Sequence, residues 1–147
     1  MSEPITGGCA CGAVRYELRS EPWDAGWCHC RICQLASGAP AMAFASVPAE
    51  DFAYVSGLDR VRTFRSSSFG RREFCGACGT ALTMRVDHQP ETVDFTVATL
   101  DEPDAAAPGF HIFYAEKIAW FDTADDLPRH EKFRPDTRGL ESTEPPA

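Results

Sequence analysis

The sequence predicts a mainly β domain clamped by metal, and three observations carry that expectation. Seven cysteines fall in three tight clusters, Cys9-Ala10-Cys11, Cys28-His29-Cys30-Arg31-Ile32-Cys33 and Cys75-Gly76-Ala77-Cys78. Apolar residues recur at every second position in several short runs, the period of a half-buried strand. Helix signals are scarce. At 147 residues the chain fits one domain, expected over 1–134, long enough to bury a core when metal ions staple it. A polar, proline-containing flexible tail is expected over 135–147.

Taken in order, Gly7-Gly8 reads as a turn before the first cysteine pair. Val14, Tyr16 and Leu18 then alternate with Arg15, Glu17 and Arg19, a strand with one buried face. The one good helix is 31–37, where Ile32, Leu35 and Ala36 share a face and Gly38 ends the turn. Cys33 sits near its start, where the positive end of the helix dipole favours a thiolate. Strands are expected over 41–47 and 61–65. Another follows the alternation of Thr80, Leu82, Met84 and Val86, and two more are expected over 93–100 and 110–114. Val47-Pro48-Ala49, Gln89-Pro90-Glu91 and Ala107-Pro108-Gly109 supply turns between them.

A formal net charge of -8 argues against nucleic acid or an anionic membrane as the partner. The opening Met1-Ser2-Glu3-Pro4 has neither basic residues nor an apolar run, and no stretch approaches the roughly 20 apolar residues of a membrane span. A cytoplasmic, reducing location is expected, and with it free thiols rather than disulfides; the odd cysteine count points the same way. No G-x-G-x-x-G fingerprint is present, which argues against an NAD-dependent oxidation. One basic segment stands out: Arg60, Arg62, Arg65, Arg71 and Arg72 lie near a single acid, Asp59. It could offset negative metal–thiolate centres or bind substrate carboxylates, or simply line the wet face of strands.

Paired thiols one or two residues apart grip a soft ion well, and thiolates select zinc or iron over magnesium or calcium. Seven divides as four plus three. Cys75-Gly76-Ala77-Cys78-Gly79 has the form of a zinc knuckle, and in an extended Cys9-Ala10-Cys11 both thiols would project to one side. Joined, these pairs close a structural site between distant strands. Cys28, Cys30 and Cys33 can hold a second ion from one loop and leave its fourth position open, the mark of a catalytic zinc. A site made of Cys9, Cys11, Cys28 and Cys30 is the alternative partition. His29 is a candidate for catalysis, although in an extended Cys28-His29-Cys30 its ring would point away from the two sulfurs.

The order Gly8-Cys9-x-Cys11-Gly12, Cys28-His29-Cys30-x-x-Cys33, Phe74-Cys75-x-x-Cys78-Gly79-Thr80-x-Leu82, then His111-Ile112-Phe113, Trp120 and Asp125-Asp126-Leu127-Pro128 resembles the glutathione-dependent formaldehyde-activating enzyme and centromere protein V family. The resemblance implies a β-tent, a compact all-β fold of small antiparallel sheets. It implies two zinc ions per chain: Cys9, Cys11, Cys75 and Cys78 as ligands of a structural zinc, and Cys28, Cys30 and Cys33 as ligands of a catalytic zinc. The activity it implies is condensation of formaldehyde with glutathione as co-substrate, formally the reverse of a carbon–sulfur lyase. The partners would then be a small-molecule thiol and an aldehyde.

An open tris-thiolate site would lower the pKa of an incoming thiol, present it to an aldehyde carbon, and in reverse stabilise the departing thiolate. His29 or His111 is expected to move the hydroxyl proton, with a purely structural role for His111 as the competing expectation. Trp23, Trp27 and Trp120 are candidates for a pocket wall or for core, while Asp122, Asp125 and Asp126 read as a closing turn outside the site. Two other classes remain open at this point: an interaction module with two structural metals, and a redox sensor built on Cys28, Cys30 and Cys33.

Overall fold

A computed structural model describes residues 3–135; the tail expected over 135–147 lies, apart from Pro135, outside the described residues. The elements in chain order are β1 (Ile5–Gly8), β2 (Arg15–Leu18), β3 (Trp23–Cys28), α1 (Arg31–Ser37), β4 (Met42–Pro48), β5 (Phe52–Ser56), β6 (Val61–Arg65), β7 (Gly70–Cys75), β8 (Ala81–Val86), β9 (Thr92–Thr96) and β10 (His111–Ile112). The mainly β class expected from sequence holds. Strands β1, β2 and β5 form a three-stranded sheet, and the other seven form a second sheet in the order β10-β3-β4-β9-β8-β7-β6. All pairs are antiparallel except β10 with β3, which run parallel and set Ile112 opposite Cys28.

Period-two alternation gives the large sheet two different faces. One face is the core: Ala45 and Val47 of β4 and Val93 and Phe95 of β9 are buried against Tyr16 and Leu18 of β2 and Phe52 of β5. The Tyr16 ring stacks on Phe52 with centroids 5.0 Å apart and touches Phe95 at 6.1 Å. Its hydroxyl is satisfied by Thr99 at 2.7 Å, so the largest core ring brings no unpaired polar group with it. The opposite face is not packed against a second sheet. It carries Asp24, Gly26 and Cys28 on β3, Phe44 and Ser46 on β4, and Arg72, Met84 and Asp94 on the strands beyond, and all of these line a cavity.

Several expectations change on contact with tertiary structure. Gly7 and Gly8 are not a turn but the end of β1, paired with Tyr16 and Arg15. Glycine is needed there because a Cβ at Gly7 would lie 2.5 Å from the Tyr16 phenol. The helix has the expected limits and ends at Gly38, but the expected apolar face is wrong: Leu35 is 67% exposed, while Cys33 and Gln34 are the buried pair. The strands expected over 93–100 and 110–114 are shortened to Thr92–Thr96 and His111–Ile112, because short 3₁₀ turns follow each one. Cys9 and Cys11 occupy a tight turn rather than extended chain, closed by the Gly12 N–H on the Cys9 carbonyl at 3.1 Å. Strands β1, β3, β5 and β7 have no counterpart among the expected elements. In β7 the buried positions are Gly70, Arg72 and Cys75, so alternation there does not read as apolar. Among the described residues no helix is long and apolar enough to cross a membrane.

Candidate active site

The seven thiols gather into two groups, Cys9, Cys11, Cys75 and Cys78 in one and Cys28, Cys30 and Cys33 in the other, with the sulfurs of each group within 4.8 Å of one another. A tetrahedron with zinc–sulfur bonds of about 2.3 Å has sulfur–sulfur edges of about 3.8 Å. The separations of 3.5 Å between Cys9 and Cys11 and 3.9 Å between Cys11 and Cys75 fit that size. The alternative partition, with Cys9 and Cys11 sharing an ion with Cys28 and Cys30, does not describe this grouping.

The four-thiol group joins the two sheets, since the turn after β1 meets the turn after β7. The chain shapes each turn locally: Val14 donates its N–H to the Cys9 sulfur at 3.2 Å, and Gly79 donates to the Cys75 carbonyl at 2.8 Å. Thr80 braces both turns. Its hydroxyl accepts the Ala10 N–H at 3.1 Å and lies 3.2 Å from the Cys78 sulfur. Those Thr80 contacts bring the Cys78 thiol down to about 5. Four thiols from two turns form a closed donor set that suits zinc.

The three-thiol group is built around the start of α1. Cys28 ends β3, Cys30 caps the helix with its sulfur accepting the Cys33 N–H at 3.3 Å, and Cys33 is fully buried in the first turn. Gln34 holds the loop by donating to the carbonyls of His29 at 2.9 Å and Glu116 at 3.1 Å. The thiols of Cys28 and Cys33, together with the Cys33 N–H, bring Cys30 down to about 2 even though burial opposes ionisation. The same contacts with Cys30 and Cys33 raise Cys28 well above its usual range. Cys33 goes the other way from the helix-dipole expectation: Cys28 pulls it down, but Cys30 and burial outweigh that and leave it near 11.

Arg72 answers the question raised by the basic segment. It is 7% exposed, and its guanidinium donates to the Cys33 sulfur at 3.3 Å and to the Ser66 hydroxyl at 3.2 Å. A tris-thiolate centre holding a divalent ion carries about one net negative charge, and this buried cation offsets it. Arg65 and Arg71 instead pair with Asp87, and Arg60 with Asp59.

The three thiols open on a cavity of about 330 Å³ walled by Phe44, Phe69, Phe110, Phe113 and Phe133. None of the tryptophans lines it, and Trp120 is 72% exposed, so Trp120 is neither wall nor core. His29 and His111 are both fully buried, and neither lines the cavity. His29 Nε2 lies 2.8 Å from His111 Nδ1, and His111 Nε2 lies 3.1 Å from Asp125. The Asp125 carboxylate can only accept, so His111 donates from Nε2, and in a neutral His111 the Nδ1 then accepts from His29 Nε2. Burial lowers His29 to about 4 and keeps it neutral. This row locks the ring between His111, Tyr114 and Phe121, away from the sulfurs as the extended chain requires. Asp125 thus joins a histidine rather than merely closing a turn, and it also pairs with Arg129 at 3.3 Å.

The family described as glutathione-dependent formaldehyde-activating enzyme matches residues 4–116. The chain belongs to this family. It is 28% identical over 123 residues to a Halomonas elongata protein provisionally named a glutathione-dependent formaldehyde-activating enzyme, covering 79% of this chain and 78% of that one. It is 36% identical over 76 residues to an uncharacterized lyase of Schizosaccharomyces pombe, covering 52% of this chain and 53% of that one. A crystal structure of a Rhodobacter sphaeroides protein shares the fold, with a TM-score of 0.56 at 22% identity over 85% of this chain and 99% of that one.

Proposed function

We propose that this family member is a zinc-dependent carbon–sulfur lyase-type enzyme acting on adducts of a small thiol with an aldehyde, of which S-hydroxymethylglutathione is the type. The observation that carries the reading is the unequal setting of the two thiol groups. Four thiols from two turns make a complete tetrahedral donor set, whereas Cys28, Cys30 and Cys33 supply three donors and line a cavity large enough for a substrate. A zinc ion held by three thiolates supplies a Lewis-acidic point at which an incoming thiol is favoured as its thiolate. Arg72 limits the negative charge that such a thiolate must approach. The phenylalanine walls make the cavity lining mostly apolar, which weakens the competition of water for the aldehyde carbon. His29 serves by position: its bonded row with His111 and Asp125 fixes the backbone between Cys28 and Cys30. In this reading Cys9, Cys11, Cys75 and Cys78 hold a structural zinc that ties the two sheets together.

The test is the visible spectrum of the cobalt-substituted protein titrated with glutathione. A saturating change in the cobalt bands, lost in Cys30→Ser but kept when Cys78→Ser alters the other group, is expected. A spectrum unmoved by millimolar glutathione would refute an open site for this thiol and favour an interaction module with two closed metals.

A further inference from the structure

The cavity holds one ionisable group that neither the fold nor the thiol sites use. Asp94 sits on β9, the middle strand of the seven, opposite Ser46 on one side and Met84 on the other. Its neighbours Val93 and Phe95 point into the core with no exposed surface, so alternation turns Asp94 onto the cavity face, whose wall it forms. The hydrogen bond it receives is from the Ser46 hydroxyl at 2.5 Å, and no cation pairs with it among the described residues. Each cation of the cavity is turned elsewhere: Arg134 pairs with Asp24 at 3.2 Å and Arg72 with Cys33. The acids that share the space are Asp24 and Glu116, together with the three thiols. A carboxyl placed mid-sheet without a cation is costly to ionise, and an apolar residue would satisfy the sheet equally well.

We propose that Asp94 is the catalytic acid–base of the carbon–sulfur reaction, taking the hydroxyl proton when a thiol–aldehyde adduct is cleaved and returning it in the condensation direction. The inference rests on the lyase reading given above. In cleavage the carboxylate takes the O–H proton, the electron pair freed on oxygen forms the carbonyl, and the C–S bond breaks with its pair leaving on sulfur as thiolate. In condensation the thiolate attacks the carbonyl carbon and the carboxylic acid protonates the oxygen. Atoms and charge balance, and nothing is oxidised or reduced. Burial pushes Asp94 up to about 6; the negative charge of Asp24 adds to the rise and the Ser46 hydroxyl opposes it. Both forms are therefore accessible near neutrality, the condition for an efficient proton carrier. His29 lacks this access, because one ring nitrogen is engaged by His111 and the ring lies outside the cavity lining.

The experiment compares zinc-loaded wild type with Asp94→Asn and Ser46→Ala, following interconversion of S-hydroxymethylglutathione with glutathione and formaldehyde by exchange NMR across pH. Wild-type kcat for cleavage is expected to rise with pH around 6. Asp94→Asn should lose about 10²–10⁴-fold in kcat together with that pH limb, while metal content, melting temperature and the cobalt–glutathione spectrum stay as in wild type. Ser46→Ala keeps the carboxyl but removes the donor that favours its ionised form, so the limb should move to higher pH. Asp94→Asn retaining half or more of kcat, or a Ser46→Ala limb that does not move, overturns the assignment even if the asparagine variant proves unstable. An inactive wild type that still binds glutathione at cobalt, or one that does not, overturns the lyase reading itself, and the role of Asp94 falls with it.

Discussion

Gly57 is where a single added methyl group should do the most damage to the frame that holds the thiols. It follows β5 with φ at 76°, and a Cβ there would lie 1.9 Å from the Ala13 carbonyl oxygen and 2.9 Å from the Val14 Cα. Both obstacles are backbone, in the segment that returns from the Cys9–Cys11 turn to β2, so no side chain can rotate aside. Gly12 and Gly79 provide matched controls, with φ of 80° and 83° and nothing within 4 Å of the added atom. Alanine at either control pays only for left-handed backbone, about 1 kcal/mol. At Gly57 the backbone overlap adds about 2–3 kcal/mol, the upper part of the usual range for overpacking, for a total of about 3–4 kcal/mol. At about 2–4 °C per kcal/mol for a domain of this size, Gly57→Ala should melt roughly 10 °C below wild type and each control only about 3 °C below. Thermal unfolding of the metal-loaded proteins followed by circular dichroism reads this directly. A Gly57→Ala variant that melts with the controls would show that the close approach of the β5 turn to Ala13 is not a packing constraint.

Two further outcomes follow from charges inside the fold. Burial acts to raise the Glu73 carboxyl, but Thr83, Arg85 and Tyr54 more than compensate and hold it below its usual range. Its ionised form therefore stabilises the fold above about pH 4.5, and that contribution fades as pH falls through the lowered value. Glu73→Gln should cost about 1–3 kcal/mol at pH 7, with the difference from wild type in urea unfolding shrinking on acidification; a difference that grows instead would reverse the sign of this argument. Arg72→Met, which removes the guanidinium beside Cys33 while retaining volume, should weaken metal retention at the three-thiol group by about 10–100-fold. Competition with a chromophoric chelator should show one ion released more readily and the other unchanged, and equal retention of both would mean that the arginine does not support the centre.

Much of the site was legible because it is local. The spacing of Cys28, Cys30 and Cys33, the helix that starts after Cys30 and the stop at Gly38 lie within eleven consecutive residues, where chain geometry alone restricts what neighbours can do. The direction of His29 followed from the same extended backbone. Less survived where packing overrides pattern. The helix shows Leu35 to solvent and buries Gln34 because Gln34 bonds the carbonyls of His29 and Glu116, a requirement invisible in an apolar periodicity. Strand β7 went unread because its inward residue is an arginine serving a distant sulfur.

By itself the sequence determined which atoms can hold metal, since thiols clustered one or two residues apart are well placed to share one soft ion, and it determined a mainly β chain through period-two alternation. Only tertiary structure decided what surrounds those atoms. The turn after β1 meets the turn after β7, Arg72 reaches Cys33 across 39 positions, His29 finds His111 across 82, and Asp94 turns into a cavity walled by Phe44 of β4 and by phenylalanines from loops. These meetings depend on sheet register and on which face of β9 the core claims, and both are settled by long-range burial rather than by any residue's immediate neighbours.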